Sequence, residues 1–599
     1  MKTVKSNHIK PVETGFIKRE FIFDGFDGSE YVLLPACAYD GNRFDVLHKV
    51  YPPIFGRNEA AVNMPLTICN VPRLNKDGSG KIDVTTGDLA VPCIGIFDSK
   101  KKKAHFVFTV QGLNGKNFGL AYEKGKITIS WPAARENRYR IDGKDEGIVI
   151  PEPEKTDIPY KYLEFDCADI PCFLKLFLEN RKIMGLDCVR PRKIDYGKVF
   201  SVLEKKFNKY NYNAKFGLYT MADSHERPYG FWQAGWVGGG MASYPLLKLG
   251  TPKTVRRALK CFDFLFTTQA PCGLFYGVMG QDGKFYGDGF EHEGLDDYHL
   301  LRKSADVLYF IYKHFAVMGE KRIEIKKEWV NGTKKAADYF VRLWDKYGQF
   351  GQFVSIETGE IIAGNSSSAV IAIAGLCESF KFFSDRNYLR VAKAAGEYYY
   401  ENSLRKGYTT GGPGEILQSP DSESAFALLE SYVCLYEITK DNKWLAYAET
   451  AAALCSTWVV SYNYEFLKQS MFNRLDIKTA GTVFANVSNK HSAPGICTLS
   501  GDSLYRLYKY TGNELYSELI KDIAGAIAQC MSTVEKPIYA NLFGQGGVLP
   551  AGFINERVNM GDWEGREGIG EVFYGSCWPE TSLMLTIAEL GDIIKEFSK

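Results

Sequence analysis

Nowhere in this 599-residue chain do about 20 apolar residues run together, the length that spans a bilayer. The opening MKTVKSNHIKPVETGF lacks the apolar stretch of a signal peptide, so the chain as it stands is expected to be soluble and cytoplasmic. An excess of one charge is missing too. With 73 Lys and Arg against 71 Asp and Glu, the net charge of +2 provides no field for nucleic acid or an anionic membrane, and neither is expected as a partner. The 14 cysteines include no C-x-x-C pair, and Cys377, Cys434 and Cys455 sit inside apolar helical stretches. They read as buried free thiols in a reducing compartment, which leaves no disulfide framework and no zinc site. No Gly-rich phosphate loop with a basic partner stands out, and histidine is scarce, with 8 residues.

What is present is length, aromatic residues and a repeated asymmetry of connections. The chain is too long for one ordinary core, so two domains are expected, an α+β arrangement divided into 1–190 and 191–599. The first part reads as strands. Short β-branched and aromatic runs at 21–23, 31–34, 104–110 and 126–131 are punctuated by Gly, Asn and Asp, as in 24–28 and 114–117. That pattern suits an antiparallel β-sandwich, whose exposed flank is expected to support a homodimer. From about residue 196 the pattern turns helical. Outer helices are placed near 196–210, 252–268, 328–346, 386–402, 441–459 and 513–533. Inner helices are placed near 232–249, 297–315, 366–383, 421–438, 495–511 and 577–594. Links from inner to outer helices are short polar turns, such as 384–389, 439–445 and 511–516. Links from outer to inner are long and rich in Gly, Trp, Tyr and acids. Six such hairpins, each needing its neighbours to bury an apolar face, close a toroid with all its elaborate loops on one side. A site is expected on that side.

The long links run into inner-helix N-termini, which attract carboxylates for structural reasons alone. Three acidic clusters exceed what capping requires. The first, 291–299, holds Glu291, His292, Glu293, Asp296, Asp297 and His299, and its spacing fits no known calcium loop. In the second, 411–423, Gly and Pro fix a tight approach to Asp421, suited to the cap, and Glu423, the freer acid. The third, 555–567, interleaves Glu556, Asp562, Glu564 and Glu567 with Arg557, Arg566 and Trp563. Paired carboxylates across a cleft are what glycoside hydrolysis needs, one protonated to assist the leaving group and one ionised to activate water or attack C1. Trp232, Trp236, Trp563 and Trp578 offer flat platforms for sugar faces, although Trp232 and Trp236, four apart, would share a helix face and equally suit a core. Asn489 and His491 lie in a polar loop before an inner helix. Arg557, Arg566 and Arg474 provide guanidinium groups of the kind that grip a uronate carboxylate.

Gly-Phe-Trp-Gln-Ala-Gly-Trp at 230–236, Pro-Asp-Ser-Glu-Ser-Ala at 420–425, Asn-Lys-His-Ser-Ala-Pro-Gly at 489–495 and the run from Gly-Asp-Trp-Glu to Cys-Trp-Pro-Glu at 561–580 carry a resemblance. In its architecture the chain resembles the six-hairpin glycosidase superfamily, in which a β-sandwich is followed by an (α/α)6 toroid. In these motifs it looks most like glycoside hydrolase family 154. The resemblance implies β-glucuronidase activity. It transfers no catalytic pair, so the site expectations rest on loop position and chemistry. Glu293 and Glu423 are expected as acid and base or nucleophile, with Asp421, Asp562 and Glu564 as further carboxylates. Trp232, Trp236, His292, Asn489, His491, Arg557, Trp563, Arg566 and Trp578 are expected to hold the carbohydrate. No metal or organic cofactor is required. A polysaccharide lyase using Asn489, His491 and a tyrosine is the alternative, which the abundance of loop acids disfavours.

Overall fold

The computed structural model describes residues 17–49, 55–68, 71–133, 157–184, 194–221, 231–289, 295–489, 491–542, 546–561 and 566–597, without the side chains of 566, 592 and 594–597. Eight strands near the start build two four-stranded antiparallel sheets. They are β1 (Ile17–Ile22), β2 (Tyr31–Leu33), β3 (Lys81–Thr85), β4 (Cys93–Asp98), β5 (Lys103–Thr109), β6 (Gly119–Glu123), β7 (Lys126–Trp131) and β8 (Tyr160–Asp166). One sheet runs β1-β7-β6-β3 and the other β8-β5-β4-β2. Alternate residues from both, including Phe21, Ile82, Leu120 and Ile127 from one and Val32, Ile94, Ile96 and Val107 from the other, fill one buried cluster. Period-two alternation puts each on the inner face of its strand.

Helix α1 (Ile170–Asn180) follows β8, and the helical ring begins at α2 (Tyr196–Lys206). Then come α3 (Ser243–Leu249), α4 (Pro252–Thr267), α5 (Leu301–Glu320), α6 (Lys327–Tyr347), α7 (Ala372–Phe383), α8 (Arg386–Asn402), α9 (Ser422–Thr439), α10 (Asn442–Ser456), the single turn α11 (Met471–Arg474), α12 (Asp502–Thr511), α13 (Glu514–Gln529) and α14 (Trp578–Phe597). Among the described residues, α3, α5, α7, α9, α12 and α14 each touch the next, and α14 touches α3, which closes an inner ring. Each packs against an outer partner, respectively α4, α6, α8, α10, α13 and α2. The ring is therefore the expected toroid of six hairpins. Three of its short turns share one device: a residue in the left-handed region ends the inner helix, and the next residue caps the outer one. Ser384, Lys440 and Gly512 have φ of 59°, 56° and 72°. Asp385, Asp441 and Asn513 then accept from the N–H of Asn387, Lys443 and Leu515 at 2.9, 3.0 and 3.1 Å.

Inner helices begin later than the sequence pattern predicts: α3 at 243 rather than 232, α7 at 372 rather than 366, α12 at 502 rather than 495. Glycine explains the first. Gly235 and Trp236 leave helical φ/ψ inside a π-type turn at Ala234–Gly238, so Trp232 and Trp236 do not share a helix face. The sheets and the ring are joined through one continuous core containing Tyr31, Phe97, Phe106, Phe173, Trp444 and Trp458. Hydroxyl groups stitch the same boundary. Tyr462 donates to the carbonyl of Thr86 at 2.7 Å, Tyr31 donates to that of Gly407 at 2.8 Å, and Tyr39 shares a hydrogen bond with Thr457 at 2.8 Å.

Candidate functional site

Four of the long links, those preceding α3, α9, α12 and α14, enclose a cavity of about 310 Å³ on the loop side of the ring. Its wall includes six residues nominated by the sequence: Trp236, Glu423, Asn489, His491, Arg557 and Trp578. It also includes Glu415, Glu556 and Gln233, which lie in the same segments but were not among the expected site residues. Two nominated residues have structural roles instead. Trp232 is 2% exposed, paired in a short strand with Met279 and packed edge-on to Phe264, so it belongs to the core. Asp421 is fully buried as the cap of α9, accepting from the N–H of Ser424 at 2.7 Å and of Gly412 at 3.1 Å. Burial pushes its carboxyl up to about 6 despite those bonds. His292, Glu293, Asp562, Trp563 and Glu564 lie outside the described residues, as does the side chain of Arg566, whose backbone starts a short 3-10 turn. Arg474 sits exposed in α11, away from the cavity wall.

The carboxylates of the wall are held differently. Glu423, in the first turn of α9, is paired with Arg302, whose guanidinium is buried. Arg302 also donates to the carbonyl of Gly412 at 3.2 Å and to Thr498 Oγ1 at 2.8 Å, and its Nε lies 3.3 Å from Asp306. Its Cζ stands 5.6 Å from the Trp236 ring. One cation thus ties together four segments that shape the cavity. Asp306 is pushed up to about 6 by burial, which the neighbouring Arg302 only partly offsets. Glu556 accepts through both oxygens, from the Ser576 N–H at 2.8 Å and the Trp578 indole N–H at 3.3 Å. A Cβ at position 575 would overlap that carboxylate, so glycine there is a condition of the arrangement. Glu415 rides on the short turn Gly414–Ile416 and is open to the cavity while ringed by protein. That confinement raises its carboxyl, and Glu556 raises it further, against the lowering effect of Arg302 and Lys303.

Two backbone outliers border the same space. Trp236 has φ of +61° and Thr498 has φ of +64°, conformations that cost a bulky or β-branched residue energy and recur where a site over-determines the chain. Lys303 Nζ, 4.9 Å from the Trp236 ring, is buried and paired with Asp288, and it donates to Gln233 Oε1 at 3.1 Å. Burial works against the charge on Asp288, but Lys303 and the neighbouring His299, whose Nδ1 lies 3.5 Å away, outweigh it and hold the carboxyl down at about 2. Cys497 also lines the cavity; burial pushes its thiol up, so it keeps its proton and makes a poor nucleophile. Adjacent cations in the first turn of α5 oppose the helix dipole. Arg302-Lys303 was therefore the sequence signal for buried acids facing that helix end.

No family model matches this sequence, and no curated protein matches it either. Solved structures of similar fold include an alpha-mannanase of glycoside hydrolase family 76 from Bacteroides thetaiotaomicron. It is 14% identical, over 67% of this chain and 96% of that one, with a TM-score of 0.42. A second family 76 glycoside hydrolase, from a bovine strain of the same species, is 13% identical over 83% and 98%, with a TM-score of 0.43. A cellobiose 2-epimerase from Bacillus thermoamylovorans is 10% identical over 66% and 98%, with a TM-score of 0.43. At such distances the chemistry has to be read from the cavity itself.

Proposed function

We propose that this cavity is the active site of a glycoside hydrolase that removes a terminal β-linked uronic acid, a β-glucuronide in the first instance. The observation that carries the reading is the meeting of Glu415, Glu423 and Glu556 in one space walled by Trp236 and Trp578. Glu415, with its raised proton affinity, donates to the glycosidic oxygen as the C1–O bond breaks. Glu556, which accepts from the Ser576 and Trp578 N–H groups, deprotonates the attacking water or attacks C1 itself. Glu423 is held by Arg302 and stabilises positive charge developing at the sugar. A cavity of about 310 Å³ has room for one terminal sugar, which is compatible with exo action. Arg557, stacked 4.6 Å over Phe573, and His491 on the same wall supply the cationic and hydrogen-bonding face a uronate needs. The likeness to glycoside hydrolase family 154 adds the choice of glucuronide.

A β-eliminating lyase is the second reading, favoured by Asn489, His491 and Arg557 sharing that wall. Against it, the described lining contains no tyrosine to take the C5 proton.

Hydrolysis of p-nitrophenyl and alkyl β-glucuronides separates these readings. Glu415→Gln is expected to slow the alkyl glucuronide by about 10²–10⁴-fold and the nitrophenyl one less, because nitrophenol leaves with little acid help. Glu556→Gln is expected to disable both. Since an acid must be protonated to act, parent activity falls as pH rises past the elevated Glu415 value, and Glu415→Gln loses that limb. An unsaturated, ultraviolet-absorbing product without nitrophenol release would establish the lyase instead.

A further inference from the structure

A second cavity, of about 250 Å³, lies where the segments around 44–45 and 65–66 meet the end of α8 and the stretch 403–410. We propose that it binds a single hexuronate residue without transforming it. Its walls carry three tyrosines, of which Tyr399 is buried with its hydroxyl accepting from the Phe350 N–H, while Tyr398 and Tyr408 are only partly buried. Tyr408 is braced edge-on against Phe44 at 4.5 Å and Tyr398 edge-on against Trp344 at 5.8 Å. Rings anchored by neighbours in this way offer rigid platforms to the apolar face of a sugar.

The polar groups have ends left over. Asn365, held at φ of +57°, donates its N–H to Gln349 and its Nδ2 to the carbonyl of Met64 at 2.9 Å, which leaves its Oδ1 as an acceptor. Asn402 uses its Nδ2 on the carbonyl of Tyr398 at 3.0 Å and likewise keeps its Oδ1. These oxygens accept from sugar hydroxyls, and the phenols both give and accept. Charge sets the class of sugar. Lys406 is exposed at the cavity and has no ion pair among the described residues, whereas Asp45, the acid of this lining, is paired with Lys76. An ammonium without a partner beside hydroxyl acceptors fits a ring that carries a carboxylate. One acid, already engaged, cannot act as an acid–base pair, so the cavity binds rather than cleaves. Its size, below the roughly 300–1,000 Å³ of drug-sized pockets, fits one ring.

The floor connects this cavity to the first. Ser366 and Ser367 both donate to the carbonyl of Thr410, at 2.9 and 3.1 Å, and Thr410 pairs with Pro420 at the base of the loop that carries Glu415. The choice of a uronate rests in part on the proposed function; the cavity and its unpaired groups do not.

Calorimetric titration of D-glucuronate into the full chain, with D-glucose as the neutral control, tests the proposal. Parent protein is expected to take up two equivalents of glucuronate. Lys406→Ala is expected to weaken one of these by at least about tenfold, as loss of a charged hydrogen-bond donor does, and to leave hydrolysis intact. Tyr408→Phe keeps the ring and its contact with Phe44, and is expected to weaken the same event less. Arg557→Ala is expected to affect the other event alone. Binding that depends on Lys406 in a protein that hydrolyses no glucuronide would overturn the proposed function and leave this site standing. Titrations of Lys406→Ala and Tyr408→Phe that match the parent, or glucose binding as well as glucuronate, would overturn the site.

Discussion

Lys303 is buried beside the cavity, and Asp288 is its counter-charge. Because the Asp288 carboxyl is held at about 2, below its ordinary 3.8, it contributes stability that is present above about pH 4 and lost as pH falls through 2. Asp288→Asn leaves the ammonium buried with only Gln233 and a backbone carbonyl, and is expected to cost about 3 kcal/mol at pH 7. Urea unfolding at a series of pH values checks this: the gap between variant and parent should narrow as pH is lowered below about 4. Six nominated side chains line the cavity because loop position before an inner helix is legible in sequence. Which acid of a cluster points inward is not legible, because it depends on turn geometry. In 411–423, Pro413 and the turn Gly414–Ile416 send Glu415 into the cavity, while Asp421 is consumed by the cap. In 555–567, Glu556 is selected by the space that Gly575 leaves for its carboxylate, nineteen residues away.

Periodicity found every ring helix, because an outer helix is amphipathic and an inner one is bounded by caps and turns that the sequence spells out. It misplaced the start of α3 because the glycines at 238 and 239 serve close backbone approach rather than helix. The consequence is greatest for the two tryptophans four residues apart. Trp232, on a strand and nearly inaccessible, is structural; Trp236, in a strained turn at the cavity, is available to a ligand. Trp232→Ala should therefore lower stability by about 3–5 kcal/mol. Trp236→Gly, which relieves a backbone cost of order 1–3 kcal/mol, should leave the melting temperature nearly unchanged and raise KM at least tenfold. Thermal melting and steady-state kinetics on the pair distinguish the roles, and equal losses of stability would contradict the assignment.

The two sheets and the toroid share one core and several buried hydroxyl links, so they should unfold together. Scanning calorimetry is expected to show a single transition, and two resolved peaks would mean that the contact between sheets and ring is weaker than their shared core implies. The closure of the ring has a consequence for how the protein is made. Phe200, Leu203 and Phe207 of the first ring hairpin are buried, and the partner of α2 is α14, roughly 370 residues later. At about 5–20 residues per second, the ribosome leaves that apolar face waiting on the order of 20–70 s, a period in which a nascent chain is exposed to aggregation and to chaperones. Trp578, the last of the described side chains of the cavity in chain order, arrives with the helix that ends the wait. Ring closure and completion of the cavity wall therefore coincide, and a polypeptide released before that point lacks one side of the pocket.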